Sequence, residues 1–335
     1  MREALFYERK GNLAKCMLCP WFCMLKPGQT GICKVRRNVD GMLVTDVYNR
    51  VSALSADPIE KKPLYHFLPG KNILSLGGVG CNLHCSFCQN YHISQCSATD
   101  FQHFREITSE EIADKAAEVK NNIGVAYTYN EPFTFFEFMF ETALLVKARG
   151  LKNVVVSNGY VNPEPLLKLL PLIDAFNIDL KALEDDFYRK HTKGKLQPVL
   201  DTLKIIAQSG KHLEITNLVI GGLNDDEPQF EGMVKWIAGE LGAHTPLHLS
   251  RYYPQYKLTL PSTPLEKLRA LYFIAKRHLS YVYPGNVSDE EFSSTRCSKC
   301  NELLIARTRY TTRIVQKGFK GVCQKCGNPS HIVMD

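Results

Sequence analysis

The 335-residue chain lacks any run of about eighteen apolar residues, so nothing in it reads as a membrane span. Its opening stretch, MREALFYERKGN, is charged from the start and has none of the apolar character of a secretory leader, which points to a cytoplasmic protein. Internal repeats and low-complexity tracts are also missing, which argues against solenoids and biased linkers. Charge of neither sign is scarce, yet its distribution is uneven. Basic side chains outnumber acidic ones by twelve to six in residues 1–80 and by eight to two in 296–335, whereas 81–295 holds 21 basic against 26 acidic. Such ends suit an acidic partner, but thiolates bound to metal would offset the same excess locally, and this second reading is the favoured one.

What the chain has in quantity is cysteine, twelve in all. A reducing cytosol disfavours structural disulfides, so clustered thiols there read as metal ligands or reactive groups. Eleven fall into three clusters: Cys16, Cys19, Cys23 and Cys33; Cys81, Cys85 and Cys88; and Cys297, Cys300, Cys323 and Cys326. Cys96 stands alone and reads as a small buried apolar side chain.

Between the flanking clusters, short apolar or β-branched runs alternate with helical patterns. Residues 72–78, 124–129, 153–158, 175–181, 212–220 and 246–250 read as strands buried on both faces. Helices are expected over 108–121, 132–150, 163–171, 198–210, 229–242 and 263–277, the first opening on a Thr or Ser cap followed by Glu and the second starting on Pro. About six βα units in succession imply an α/β fold, a parallel sheet curled toward a barrel with too few units to close an eightfold one. The expected division is a Cys-rich metal-binding region over 1–71, a partial (β/α)6 barrel over 72–284 and a small metal-binding domain over 285–335. Residues 39–49 look like a hairpin, and RTRYTTRIVQ (307–316) like a strand.

The sequence GCNLHCSFCQN (80–90) follows the first barrel strand, where a βα barrel carries its reactive groups. Thiolates normally cap all four irons of a cubane iron–sulfur cluster; CxxxCxxC supplies three and leaves one iron open. An open metal position is where substrate or cofactor binds, by the logic that separates catalytic from structural zinc sites. A zinc site completed by His84 or His92 is the alternative. The motif, with Phe87 before its last cysteine, resembles that of radical S-adenosylmethionine (SAM) enzymes. That resemblance implies a [4Fe–4S] cluster on Cys81, Cys85 and Cys88, SAM on its open iron, and reductive cleavage of SAM to a 5′-deoxyadenosyl radical that abstracts hydrogen from a substrate.

Further segments resemble the pyruvate formate-lyase activating enzyme branch of that family. Asn130 and Glu131, with Tyr129 and Pro132, stand where the family commonly has GGEP; Glu131 would hold the methionine ammonium. Glu-Pro also suits a plain helix start. Ser157, Asn158, Asp179 and Lys181 end strands, and the resemblance implies that they contact SAM; Val219 is a weaker match for the adenine wall. His66 and the run Arg251-Tyr252-Tyr253 read as packing groups at least as readily as catalytic ones.

At the C-terminus, two CxxC knuckles separated by twenty-two residues predict a zinc-ribbon or rubredoxin-like site, with zinc the expected occupant. At the N-terminus four cysteines would saturate either a zinc ion or an auxiliary iron–sulfur cluster, and the spacing does not choose. The combination CMLCPWFCMLKPGQTGICKVRRN, DPIEKKPLYHFLPG and GCNLHCSFCQNYHIS resembles the radical SAM component of the AmmeMemoRadiSam system. Memo-type and AMMECR-type proteins are the partners this implies, with a low-potential reductant such as flavodoxin or ferredoxin. Competing readings are a glycyl-radical-enzyme activase, an RNA-modifying enzyme, or a nucleic-acid-binding metalloprotein presenting Arg307, Arg309 and Arg313 on one strand face. A nucleic-acid partner is not favoured, and no membrane partner is expected.

Overall fold

A computed structural model describes residues 1–287 and 290–335. All six expected strands form, and two more join them in one sheet. In chain order these are β1 (Ala53–Pro58), β2 (Asn72–Gly77), β3 (Asn122–Tyr127), β4 (Lys152–Ser157), β5 (Ala175–Asp179), β6 (His212–Val219), β7 (Leu247–Arg251) and β8 (Val282–Gly285). Each strand lies beside its sequence neighbour. β2 to β8 run parallel, and β1 pairs antiparallel with β2.

The sheet therefore has eight strands where sequence patterning indicates six. β8 escapes notice because it is four residues long and contains Pro284, which a sheet edge tolerates because no ladder partner needs the missing N–H. β1 is missed because Ser55 and Ala56 are exposed, so no apolar run marks it. It also brings residues expected in the N-terminal region into the barrel sheet.

The crossover helices follow the expected pattern: α1 (Ser109–Glu118), α2 (Phe136–Ala148), α3 (Pro163–Leu169), α4 (Gln197–Gln208), α5 (Glu227–Glu240) and α6 (Leu265–Lys276). The Thr108 hydroxyl accepts from the Glu111 N–H at 3.2 Å while the Glu111 carboxylate accepts from the Thr108 N–H at 2.7 Å, a reciprocal cap at the start of α1. Val125, Val155, Phe176 and Ile215 on the strands are completely buried, as are Met139, Leu203 and Ile237 on the helices.

Two small β layers precede the barrel, Arg2–Glu3 with Met42–Thr45 and Arg36–Val39, and Tyr7–Lys10 with Leu13–Cys16 and Met24–Leu25. The hairpin expected over 39–49 instead pairs Arg36–Val39 with Met42–Thr45, turned by Asp40 and Gly41, both at positive φ. After the barrel, Thr295–Arg296, Leu303–Thr308 and Thr311–Ile314 form a third antiparallel layer. It docks on the barrel: Leu68 N–H donates to Val333 O and Val333 N–H to His66 O.

The arginine face expected on 307–316 does not exist. Arg309 sits in the turn at positive φ, Arg313 lies on the next strand, and Arg307 is buried, donating to Tyr65 O and Thr295 Oγ1 at 2.6 Å each. A hairpin replaced the single strand, so the alternation broke at its turn. Among the described residues no helix is long and apolar enough to cross a membrane.

Candidate active site at the strand ends

The loop after β2 carries the three cysteines, and glycine makes its path available. Gly80 has φ +85°, and a Cβ there would lie 2.4 Å from Cys33 O, so only glycine fits between this loop and the N-terminal region. Asn130 spans the same turn, accepting from Gly78 N–H at 2.9 Å and donating to Gly80 O at 2.8 Å. Both halves of its amide hold the loop. Farther along, His84 and Ser86 N–H donate to Thr192 O and His191 O, and Phe87 packs against Phe187.

Cys81, Cys85 and Cys88 line one wall of a cavity of about 510 Å³ at the C-terminal ends of the parallel strands. The same cavity takes in Phe87, Asn130, Glu131, Ser157, Asn158, Asp179 and Lys181. Of the residues expected to contact a cofactor, Val219 alone is absent from the lining. Side chains alternate along β6; Thr216 and Leu218 face the cavity, which turns Val219 into the completely buried opposite layer. The histidines considered as a fourth zinc ligand do not line it either: His84 is engaged by Gln95 Oε1 at 2.6 Å and Ile32 O at 3.3 Å, and His92 is exposed.

Burial pushes all three thiols up, Cys85 to about 12, so each would remain neutral until a cation displaces its proton. N–H donors nevertheless approach sulfur. Leu83 N–H lies 3.4 Å and Asn158 Nδ2 3.6 Å from Cys81 Sγ. Such donors suit a metal-bound thiolate better than a thiol.

Glu131 is nearly inaccessible, and burial raises its carboxyl to about 7. Its oxygens accept from Phe133 N–H at 3.1 Å, Ser157 Oγ at 2.9 Å and Asn158 N–H at 2.9 Å. The helix-start role and the cavity position thus coexist in one residue. Lys181 is buried as well. Burial works against its charge, but Asp179 at 2.8 Å and Cys85 hold its ammonium above the usual range.

Sequence reasoning missed a second polar group: Lys62 lines the cavity, and the buried Asp57 holds it. Asp57 accepts from Lys62 Nζ at 2.7 Å and Tyr129 Oη at 2.6 Å. Burial opposes its ionisation, yet Lys62, Tyr129 and Lys61 together hold the carboxyl well below the usual range. The Asp-Lys-Lys spacing of DPIEKKP was the available signal. His248 also lines the cavity and pairs with Glu214, which is fully buried and accepts from Tyr65 and His66 N–H. His66 bonds Tyr283 Oη at 2.6 Å, and burial lowers it to about 3, a neutral packing group. Tyr252 is buried with its hydroxyl on Leu258 O, and Tyr253 is exposed; neither lines the cavity.

The C-terminal thiols behave differently. Cys297, Cys300, Cys323 and Cys326 place all four sulfurs within 4.8 Å of one another, with Cys297 to Cys326 at 3.6 Å and Cys300 to Cys323 at 3.7 Å. Metal–sulfur bonds of ~2.3 Å in a tetrahedron set sulfurs ~3.8 Å apart, so the set has the spacing one ion requires. Each knuckle ends on a positive-φ residue, Asn301 or Gly327, whose N–H donates back to the first cysteine's carbonyl. Tyr310, from the hairpin of this lobe, reaches the active-site cavity.

The family model described as the radical SAM superfamily matches residues 76–237, the span that contains the cysteine loop and β3 to β6. The chain belongs to the radical SAM superfamily. It is 42% identical over 338 residues to the uncharacterized protein MJ0808 of Methanocaldococcus jannaschii, covering the whole of both chains. This radical SAM enzyme is also 28% identical over 166 residues to the pyruvate formate-lyase-activating enzyme of Clostridium pasteurianum, a match covering 47% of this chain and 66% of that one. A solved domain of a pyruvate-formate lyase-activating enzyme from Bacteroides vulgatus aligns with 49% of this chain and 99% of its own length, at 19% identity and a TM-score of 0.43.

Proposed function

We propose that this chain is the radical SAM component of an AmmeMemoRadiSam-type system, acting in the cytoplasm on a substrate presented with Memo-type and AMMECR-type partners. The observation that carries the reading is a cavity with three thiols on one wall, no fourth cysteine among the described residues that line it, and buried Glu131, Asn158 and Lys181 around the remaining space. A four-iron cluster on Cys81, Cys85 and Cys88 with SAM on its open iron supplies reductive cleavage of the sulfonium to a 5′-deoxyadenosyl radical.

The chain's own residues then do the holding. Glu131 accepts the methionine ammonium, and its ionisation is drawn down by that charge. Lys181, steadied by Asp179, meets the methionine carboxylate. Asn158 holds the cysteine loop, its Nδ2 donating to Cys81 Sγ and Asn82 Oδ1. Across the cavity, Lys62, His248 and Tyr310 line the space left for substrate. The C-terminal cage holds zinc, as a ribbon whose hairpin helps close the cavity.

Resemblance to activating enzymes favours a second reading, an activase that places a radical on a partner protein. One experiment tests the shared chemistry. Anaerobically reconstituted protein, reduced and given SAM, is expected to release 5′-deoxyadenosine, and Cys88→Ala to release at least about a thousandfold less. Equal release from both would sink the reading. Adding Memo-type and AMMECR-type partners and finding no change in turnover would move the assignment toward the activase.

A further inference from the structure

Glu214 lies wholly inside the barrel, and its carboxylate is saturated. Oε1 accepts from His66 N–H at 2.7 Å and His212 Nε2 at 2.9 Å, and Oε2 from Tyr65 N–H at 3.0 Å and His248 Nε2 at 2.6 Å. Burial opposes its ionisation, yet His212 and His248 hold the carboxyl well below the usual range. An ionised carboxylate only accepts, so Nε2 of His248 carries the hydrogen and Nδ1 is the basic atom of the neutral ring.

Strand parity places that ring. Along β7, Leu247 and Leu249 are completely buried in the opposite layer, whereas His248 and Ser250 line the cavity of about 510 Å³. In register, His248 lies between Thr216 of β6 and Tyr283 of β8. Two aromatic rings pack on the imidazole, Tyr65 edge-on at 4.8 Å and Tyr283 at 5.5 Å. Arg307 lies over both of them, 4.3 Å from the Tyr65 ring and 6.0 Å from that of Tyr283. The Tyr283 hydroxyl is engaged by His66 Nε2 and Thr295 Oγ1, not by His248.

His248 Nδ1 has no partner among the described residues, and it is not sealed off as the unpartnered His66 Nδ1 is. A ring that lines the cavity and commits Nε2 to inaccessible Glu214 presents Nδ1 to the open space. Lys62, on the same half of the cavity, is by contrast already engaged by Asp57. His248 also stands two residues deeper along its strand than Ser250, a depth that suits a small molecule.

We infer that His248, oriented by Glu214, exchanges a proton with the substrate at Nδ1, and that the substrate is a small molecule bearing a hydroxyl or amine beside the carbon that loses hydrogen. This rests on the function proposed above and gives its substrate a chemical class. In the step, the substrate's O–H or N–H bond breaks, the proton bonds to Nδ1, and the electron pair stays on the substrate's heteroatom. The imidazolium then faces the Glu214 carboxylate, the arrangement that steadies a histidine base in hydrolase triads. Loss of a hydrogen atom from the neighbouring carbon makes that O–H or N–H more acidic, so the base acts where the radical forms. The proton passes to water when the product leaves, and no further oxidant or reductant is consumed.

The test uses the full chain, reconstituted anaerobically. Diethyl pyrocarbonate acylates an accessible unprotonated imidazole nitrogen, and peptide mass spectra are expected to show His248 labelled at least about tenfold faster than His66. Glu214→Gln should slow that labelling about tenfold, because the ring loses the carboxylate that keeps Nδ1 basic. A His248 as inert as His66 overturns the open nitrogen, and equal labelling in Glu214→Gln overturns the part given to Glu214. With SAM, dithionite and the protein-free small-molecule fraction of its source cells, the parent should release 5′-deoxyadenosine faster than with SAM alone. His248→Ala should lose about a hundredfold of that increment while keeping a SAM-responsive paramagnetic signal. Added imidazole should restore about tenfold, and pyrazole, of the same shape but far less basic, should restore none. An increment unchanged in His248→Ala, or restored equally by pyrazole, overturns the proton exchange. A parent that gains nothing from the fraction overturns the small-molecule class. A parent whose cluster signal ignores SAM would fault the proposed function instead, while a labelled His248 leaves its open nitrogen standing.

Discussion

The three-thiol loop and the C-terminal four-thiol cage are built from similar CxxC-type spacings, yet they sit in opposite surroundings. The cage closes on itself, its sulfurs 3.6 to 3.7 Å apart across the two knuckles, in a lobe whose own core is six residues. The loop sulfurs face a cavity of about 510 Å³ at the mouth of a large core. A closed site with little core beside it contributes folding energy, whereas an open site with a large core behind it has ligand positions to spare for chemistry.

The largest expected effect breaks this comparison from the cage side. On the zinc reading proposed above, Cys323→Ala, or a chelator that strips the ion, removes binding energy on the order of 10 kcal/mol and should unfold 295–335. Limited proteolysis would then cut within that lobe while the iron–sulfur absorbance of the rest persists. A lobe that stays protected without its metal would show that its docking on the barrel suffices.

That docking has its own test. Arg307 is buried over the Tyr65 ring and donates to Tyr65 O, with Glu60 3.9 Å away. Arg307→Met leaves the Glu60 carboxylate without its buried cation and should cost about 3 to 5 kcal/mol, read as a shifted denaturation midpoint. A loss under about 1 kcal/mol would mean that Thr312 and the Gly70 N–H already satisfy Glu60.

Glu131 sharpens the comparison from the cavity side. Its folded-state carboxyl is raised to about 7 from 4.5, chiefly by burial. A raised folded value favours the folded state below pH 4.5, and the advantage fades as pH rises through about 7. Metal-free protein should therefore lose up to about 3 kcal/mol between pH 4.5 and 7.5, and Glu131→Gln should flatten that slope in thermal melts. An unchanged slope would assign the effect to another group. The smallest effect concerns the cavity edge: Tyr129→Phe removes one hydrogen bond to Asp57 and should cost about 1 to 2 kcal/mol, measured by urea denaturation, with the fold intact.

Legibility in the sequence followed locality. Six β-branched runs and the Thr108 cap declare themselves within a few residues, and each formed where expected. β1 and β8 gave no such signal, one being half-exposed and the other short and Pro-bearing. Arg309 and Val219 were misplaced by turn position and strand parity respectively, where a shift of one residue exchanges the two faces. Asn130 lines the cavity, and its amide proved to hold the cysteine loop's glycine turn.

Residue identity and spacing alone determined that three cysteines follow the first parallel strand, that four more make two knuckles, and that an α/β barrel lies between the clusters. Thiol chemistry and short-range periodicity suffice for that, because both are properties of neighbouring residues. Only the tertiary structure decided which thiols meet closely, that Lys62 joins the cavity held by Asp57 of a strand outside the alternating pattern, and that a buried arginine ties the last lobe to the barrel. Those outcomes depend on distances between segments far apart in the chain, which packing sets and local sequence does not encode.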